Sequence, residues 1–216
     1  MRARHPLHRQ TLPDGRTFLS VTRHADACRV LGDHRAFTSE RGSLLQQLDR
    51  GDAAAGKMLV STDPPRHAEL RAPLAGPLSA KALAPREPEI RAAVRRILRP
   101  ALEAGTWDLA AVAGELPMAI AGTLMGIPPQ DWPQLSRWTA MAAAPSDPTL
   151  CVRNPAATLA IAHHGLFEYF TGRLDGRGDD LIGVLRTAGR SAEEVVYNCY
   201  SLLLGANVRQ RKSGGA

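Results

Sequence analysis

The sequence predicts a mainly helical protein of the α+β class, with a small N-terminal β-hairpin followed by a series of helices. Pro13-Asp14-Gly15 is a turn tripeptide, and the β-prone run Thr17-Phe18-Leu19-Ser20-Val21 comes directly after it. From Thr62 onward, apolar residues recur at helical spacing, and no internal repeat is present. With 216 residues, of which 44% are hydrophobic, the chain is long enough to bury a sizeable core.

The N-terminal third is predicted to hold the hairpin, one short helix and a long loop. The hairpin covers residues 7–22, and a short helix follows in which Gly32-Asp33 is the end signal. Residues 39–62 mix polar residues with scattered leucines, which predicts a loop with one helical turn at most. Asp63 is predicted to cap the next helix, Pro64-Pro65 to occupy its first positions, and Pro73 to kink or end it.

The remaining chain is predicted to be helical, with short breaks. Ile90, Val94, Ile97, Leu98 and Leu102 form an apolar stripe that ends before Gly105-Thr106. A Ser-x-x-Glu capping box at 191–194 precedes the last apolar run. Further helices are predicted over 108–125, 131–142, 156–172, 180–188 and 192–207.

Charge and cysteine content limit the class of protein. The net charge is +6 and the pI about 9.8, but arginines alternate with carboxylates and apolar residues, without a basic tail or interleaved aromatics. A helical nucleic-acid binder therefore rests on the pI alone, and we expect no nucleic-acid partner. Three distant cysteines form neither a metal pair nor a disulfide framework, and no apolar run could span a bilayer. We expect a soluble, cytoplasmic protein with no membrane association and no metal-ligating residues.

One polar pair stands out where general catalytic motifs are absent. Adjacent residues in a helix point about 100° apart, so His163-His164 is a poor metal pair. His67 and Arg71, in contrast, are four residues apart at a helix start and so project from one face. They could clamp carboxylates or a phosphate, with the guanidinium binding in bidentate fashion. The alternative from the residues alone is an ordinary helix face in which Arg71 pairs with a nearby glutamate.

Three segments, in order, resemble bacterial cytochromes P450. Residues 21–33, followed by Phe37-Thr38-Ser39, resemble the strand and B helix of that family. Residues 63–71, Asp-Pro-Pro-Arg-His-Ala-Glu-Leu-Arg, look like the opening of its C helix and are the most specific of the three. Residues 193–207 are similar to the start and middle of its long I helix. The resemblance covers residues 10–208 and implies a P450 fold with a hairpin followed by helices B to I.

The resemblance implies a function and a cofactor. It assigns His67 and Arg71 to the propionates of a haem and places Gly205 and Ala206 at the small pair of the I helix, beside that cofactor. The implied activity is a haem-dependent monooxygenase that oxidises a small organic substrate. An acidic ferredoxin-type protein would donate electrons by docking on the basic helices. The loop at 40–62 and the breaks near 143–155 would line the substrate entrance.

Several departures from the family pattern predict a truncated and inactive form. Arg209 stands where the family has a proton-relaying threonine, and a guanidinium cannot donate a proton by that route at neutral pH. The sequence has neither an ExxR helix nor a glycine-flanked cysteine to ligate iron. We interpret 1–208 as a partial P450 domain and 209–216 as a non-family tail. The alternative function is a haem-less accessory or binding protein. With about half of the fold missing, we expect one apolar stripe to be exposed, formed by Val195, Val196, Cys199, Leu202 and Leu203.

Overall fold

The structure is a computed structural model that describes residues 5–42, 44–108, 112, 114–176 and 178–207. The chain divides into two compact units, Met1–Leu70 and Arg71–Ala216, and each is described by itself. The predicted tail at 209–216 lies outside the described residues. Across the described ranges, no helix combines the length and hydropathy that a bilayer-spanning segment requires.

The first unit begins with the predicted hairpin. Strand β1 (Leu7–Thr11) pairs antiparallel with β2 (Thr17–Val21) in a register that joins Leu7 to Val21. Gly15 closes the turn with a φ of 85°, a backbone conformation that glycine adopts without steric cost. Helix α1 (His24–Gly32) follows directly and ends where Gly32-Asp33 predicts. The hairpin and the short helix are therefore confirmed.

The long loop contains two 3₁₀ turns, at Leu45–Gln47 and Leu59–Ser61, where at most one helical turn was predicted. Hydrogen bonds join the beginning of this loop to the residue that follows it. The carboxylate of Asp63 accepts a hydrogen bond from the Thr38 hydroxyl at 2.5 Å and another from the Ser39 backbone N–H at 3.1 Å. The next helix begins at Arg66, three residues after Asp63, so Asp63 is not at the predicted N-cap position, and its side-chain oxygens bind the preceding loop instead.

Helix α2 (Arg66–Ala75) carries the most specific sequence motif. It begins after Pro64-Pro65, so these prolines precede the helix instead of occupying its first positions. Pro73 lies inside the helix, which ends two residues later, as a missing backbone N–H predicts. Leu70 and Leu74 are buried. The boundary between the two units falls inside this continuous helix, after Leu70.

The second unit is wholly helical in its described part. Within the predicted segment 108–125, the described residues are helical over Leu116–Leu124 and at Val112, and 109–111 and 113 lie outside the described residues. The capping box is confirmed: the Ser191 hydroxyl accepts from the Glu194 backbone N–H, and the Glu194 carboxylate accepts from the Ser191 N–H. The helices are α3 (Ala80–Leu83), α4 (Glu87–Glu103), α5 (Leu116–Leu124), α6 (Trp132–Ala143), α7 (Pro155–Thr171), α8 (Leu181–Thr187) and α9 (Ala192–Asn207), with 3₁₀ turns at Ala84–Arg86 and Pro129–Asp131.

Helix α9 lies at the centre of this unit. It packs against α5, α6, α7 and α8, and these four helices cover its apolar face. Val195, Val196, Cys199 and Leu203 are buried, and Leu202 is half-buried. The expectation that this stripe would be exposed is therefore wrong. The second unit supplies enough helical surface by itself to enclose the stripe.

Candidate functional site

His67 and Arg71 lie on consecutive turns of α2. His67 is half-buried, and its backbone N–H donates to the Asp63 carbonyl at 2.9 Å, which anchors the first turn of the helix. Arg71 is exposed. Residues four apart on a helix are neighbours on one face, so an imidazole and a guanidinium are presented side by side.

The acidic side chain on this helix is already engaged elsewhere. Glu69 pairs with Arg66, with 2.7 Å between the guanidinium and the carboxylate. Within the described part of the chain, neither His67 nor Arg71 has a side-chain hydrogen bond or an ion pair. The alternative in which Arg71 pairs with a nearby glutamate therefore finds no support among the described residues. The two donors are available to an external anion.

Gly205 and Ala206 lie near the end of α9, and both are exposed. A Cβ atom added to Gly205 would meet no described atom within 4 Å. Packing within the protein therefore does not require a glycine there, and the open helix face leaves room for a flat ligand to approach the backbone. Asn207, the next residue, donates its side-chain amide to the Leu203 carbonyl at 2.7 Å. Arg209, predicted at the threonine position, lies outside the described residues.

None of the three cysteines resembles a ligand for haem iron. Cys199 is buried, and burial raises the pKa of its thiol to about 12, so it remains protonated. Cys151 is half-buried and its sulfur accepts a weak hydrogen bond from the Thr158 hydroxyl at 3.7 Å. Cys28 is exposed on α1. None lies in a glycine-rich loop.

An aromatic cluster between α7 and α9 was missed by the sequence analysis. The ring of His163 stacks on Phe167 with centroids 5.5 Å apart and meets Tyr200 edge-on at 5.4 Å. Its Nε2 atom lies 3.1 Å from the Tyr200 hydroxyl, and burial lowers the pKa of His163. The i,i+4 spacing of His163 and Phe167 is visible in the sequence. Their contact with Tyr200 on α9, 37 residues after His163, cannot be read from that spacing.

Comparisons with known proteins identify bacterial relatives. The sequence is 31% identical over 201 residues to cytochrome P450 NovI of Streptomyces niveus, covering 88% of this chain and 48% of the relative. It is 32% identical over 203 residues to the erythromycin C-12 hydroxylase of Saccharopolyspora erythraea, with 87% and 48% covered. Comparison with models of protein families finds no match. The chain thus spans about half the length of the relatives it matches.

The solved structures agree on the fold. The crystal structure of CYP109E1 from Bacillus megaterium in complex with testosterone superposes with a TM-score of 0.77 at 24% identity, over 96% of this chain and 55% of that one. The small hairpin, the order of the helices and the α2 motif together define a protein of the P450 fold. This chain belongs to the cytochrome P450 family, of the bacterial type, and it matches about half of the length of these relatives.

The family implies a haem, and the residues present fit that cofactor only in part. Among the described residues neither His67 nor Arg71 has an ion pair, so each could donate to a carboxylate of a haem, and Gly205 and Ala206 are exposed on α9. A thiolate ligand for the iron would need a cysteine in a glycine-rich loop, and none of the three is in one: Cys28 lies on α1, Cys151 lies next to Thr158, and Cys199 is buried with a raised thiol pKa.

Proposed function

We propose that this chain is the propionate-binding half of a P450-type monooxygenase that oxidises a small organic molecule. The observation that carries the proposal is the His67–Arg71 pair on one face of α2, for which the described residues provide no acidic partner, while Glu69 pairs with Arg66. The relatives include a hydroxylase of erythromycin, which supports a small organic substrate. A haem bound through a thiolate supplies the activation of dioxygen.

The proposed role of each residue follows from its chemistry. Arg71 stays cationic and can donate two parallel hydrogen bonds to one carboxylate, whereas His67 donates one N–H from a half-buried position. Gly205 and Ala206 have small side chains on an exposed part of α9 and would leave room for a haem beside the helix. Arg209 offers no proton at neutral pH where the family uses a threonine, so we propose that this chain does not itself insert oxygen.

The proposal extends to partners and location. A small organic substrate and an acidic ferredoxin-type electron donor belong to the activity of the family, and the positive net charge supports attraction of an acidic protein. We propose a cytoplasmic location, because all three cysteines are free in the structure.

A haem titration of the full chain tests the proposed site. We expect haem to change its Soret absorption on binding, and His67→Ala and Arg71→Ala each to weaken binding about tenfold or more, since a charge-assisted hydrogen bond is lost. Arg99→Ala is the control, because Arg99 is exposed on α4 and pairs with Glu103 there, and it should leave the affinity unchanged. We also expect the reduced complex with carbon monoxide to lack the red-shifted band typical of thiolate ligation. Equal affinities for all four proteins would contradict the propionate assignment.

The second candidate is a haem-less accessory protein that binds another biosynthetic enzyme. The burial of Cys199, which raises the pKa of its thiol, and the absence of a glycine-rich loop around any of the three cysteines favour it. The same titration separates the two functions. An unchanged Soret spectrum with the parent chain would support the accessory role and exclude the first proposal.

A further inference from the structure

Helix α1 carries a histidine and a cysteine on one exposed face. His24 and Cys28 are four residues apart, and both side chains are exposed. The Cys28 sulfur lies 3.6 Å from Nδ1 of His24 and 3.6 Å from Nε2. Because the sulfur is equally far from both nitrogens, rotation of the imidazole is needed to aim one of them at a ligand shared with the sulfur. The sequence analysis compared only the spacings between cysteines and did not consider this pair.

The spacing of these atoms matches that of a metal chelate. Zinc binds thiolate sulfur at about 2.3 Å and imidazole nitrogen at about 2.0–2.1 Å, which at a tetrahedral angle separates the two ligand atoms by about 3.6 Å. The side chains already have this separation, so a cation can bind after rotation of the imidazole alone, without a change in the backbone of α1. An i,i+4 pair in a formed helix also loses little conformational freedom on chelation.

We propose that His24 and Cys28 form a two-ligand surface site for a borderline-soft divalent cation, with zinc as the representative. Water completes the coordination, because no group of three potential ligands is present among the described residues. Binding replaces the thiol proton: the sulfur–hydrogen bond breaks, the sulfur–metal bond forms, and one proton passes to solvent. The site lies on the first unit and does not depend on the function proposed above.

The charges around the pair set an upper limit on affinity. Arg23 directly precedes the helix and Arg29 lies in its last turn, and both guanidinium groups repel a bound cation. The carboxylate of Asp26, in the first turn, attracts it. The N-terminal end of the helix dipole also disfavours a cation near His24. The bound thiolate offsets part of this repulsion. We therefore expect a site that is selective for thiophilic cations and that magnesium or calcium does not occupy.

Titration of the reduced full chain with cobalt(II), followed by displacement with zinc, tests the site. We expect one cobalt per chain with a thiolate-to-metal charge-transfer band in the near ultraviolet. Cys28→Ser should abolish the band, and His24→Gln should weaken binding by at least about tenfold, the lower end of what loss of a ligand's supporting partner costs. Cys151→Ser and His8→Gln are the matched controls and should bind as the parent does.

A second measurement separates binding at α1 from binding elsewhere. A cation that bridges the two side chains holds successive turns together, so zinc should slow hydrogen exchange of the backbone amides in α1 of the parent chain and leave the exchange of Cys28→Ser unchanged. The proposal is overturned if cobalt gives no thiolate band, if Cys151→Ser removes the band, or if zinc protects the parent and Cys28→Ser equally.

Discussion

The Nε2 atom of His163 lies 3.1 Å from the phenolic oxygen of Tyr200, and this contact joins α7 to α9. Tyr200 is buried and His163 is half-buried, so water competes little for the bond. Phe167 stacks on one side of the imidazole and also meets Tyr200 edge-on at 5.3 Å. Three rings therefore hold the central helix of the second unit against its largest neighbour.

Removal of the Tyr200 hydroxyl tests the energetic weight of this contact. In Tyr200→Phe the ring packing is retained, but the imidazole loses its partner, so we expect a loss of about 1 kcal/mol in the free energy of unfolding. The measurement is urea unfolding followed by far-ultraviolet circular dichroism. His164→Gln is the control, because His164 is exposed and pairs only with Glu168 at 3.5 Å. Equal stabilities of Tyr200→Phe and the parent would show that the contact contributes nothing.

The buried imidazole also predicts a dependence of stability on pH. Burial lowers the pKa of His163 below its usual value of 6.5, so a proton binds more readily to the unfolded chain. The contribution of this group to stability is complete above pH 6.5 and decreases as the pH falls below it. We expect His163→Gln to lose less stability than the parent between pH 7 and pH 5 in the same urea assay. An identical loss in both proteins would contradict this assignment.

The burial of the α9 stripe predicts a large effect of truncation in the core. Leu203 is fully buried, so Leu203→Ala removes packed atoms and leaves a cavity, at a cost of about 2–5 kcal/mol. Leu102→Ala is the matched control: Leu102 is 64% exposed, and its truncation should cost no more than about 0.5 kcal/mol. Urea unfolding of both variants measures the two losses in the free energy of unfolding. If the two variants lose the same small amount, α9 is not enclosed in solution.

Patterns of neighbouring residues predicted the turn and the capping box correctly. Features that depend on contacts between residues far apart in the sequence were predicted wrongly or not at all. The Pro13-Asp14-Gly15 turn and the Ser191–Glu194 capping box depend on neighbouring residues, and the structure confirms both. Asp63 satisfies the pattern of a helix cap, yet Thr38 and Ser39, 24 or more residues earlier, bind its carboxylate.

The same distinction applies to the candidate site. The spacing of His67 and Arg71 placed them on one helix face from the sequence alone. That no described carboxylate pairs with them could not be predicted, because it depends on which side chains from distant parts of the chain pack near this face of α2. The enclosure of the α9 stripe likewise required the arrangement of four other helices, which no local pattern contains.

Close approach of α6 and α7 makes Gly165 sensitive to substitution. A Cβ atom at this position would overlap the indole ring of Trp138. We expect Gly165→Ala to destabilise the protein by about 1–3 kcal/mol, since the bulky ring must move. Gly205→Ala is the matched control within a helix, where nothing lies within 4 Å of the added atom. There alanine should stabilise the protein by up to about 1 kcal/mol. Thermal unfolding of both variants compares them, and a stabilised Gly165→Ala would contradict the packing.

The three cysteines should differ in their reactivity toward an alkylating reagent. Only the thiolate reacts, and burial raises the pKa of Cys199 to about 12, whereas Cys28 is exposed. In the native protein we expect iodoacetamide to modify Cys28 rapidly and to leave Cys199 intact even at pH 9. Unfolding in urea should make Cys199 react as fast as Cys28. Peptide mapping by mass spectrometry after timed quenching measures each site separately. Rapid native modification of Cys199 would mean that α9 is accessible to solvent, and the enclosed core of the second unit would then be wrong.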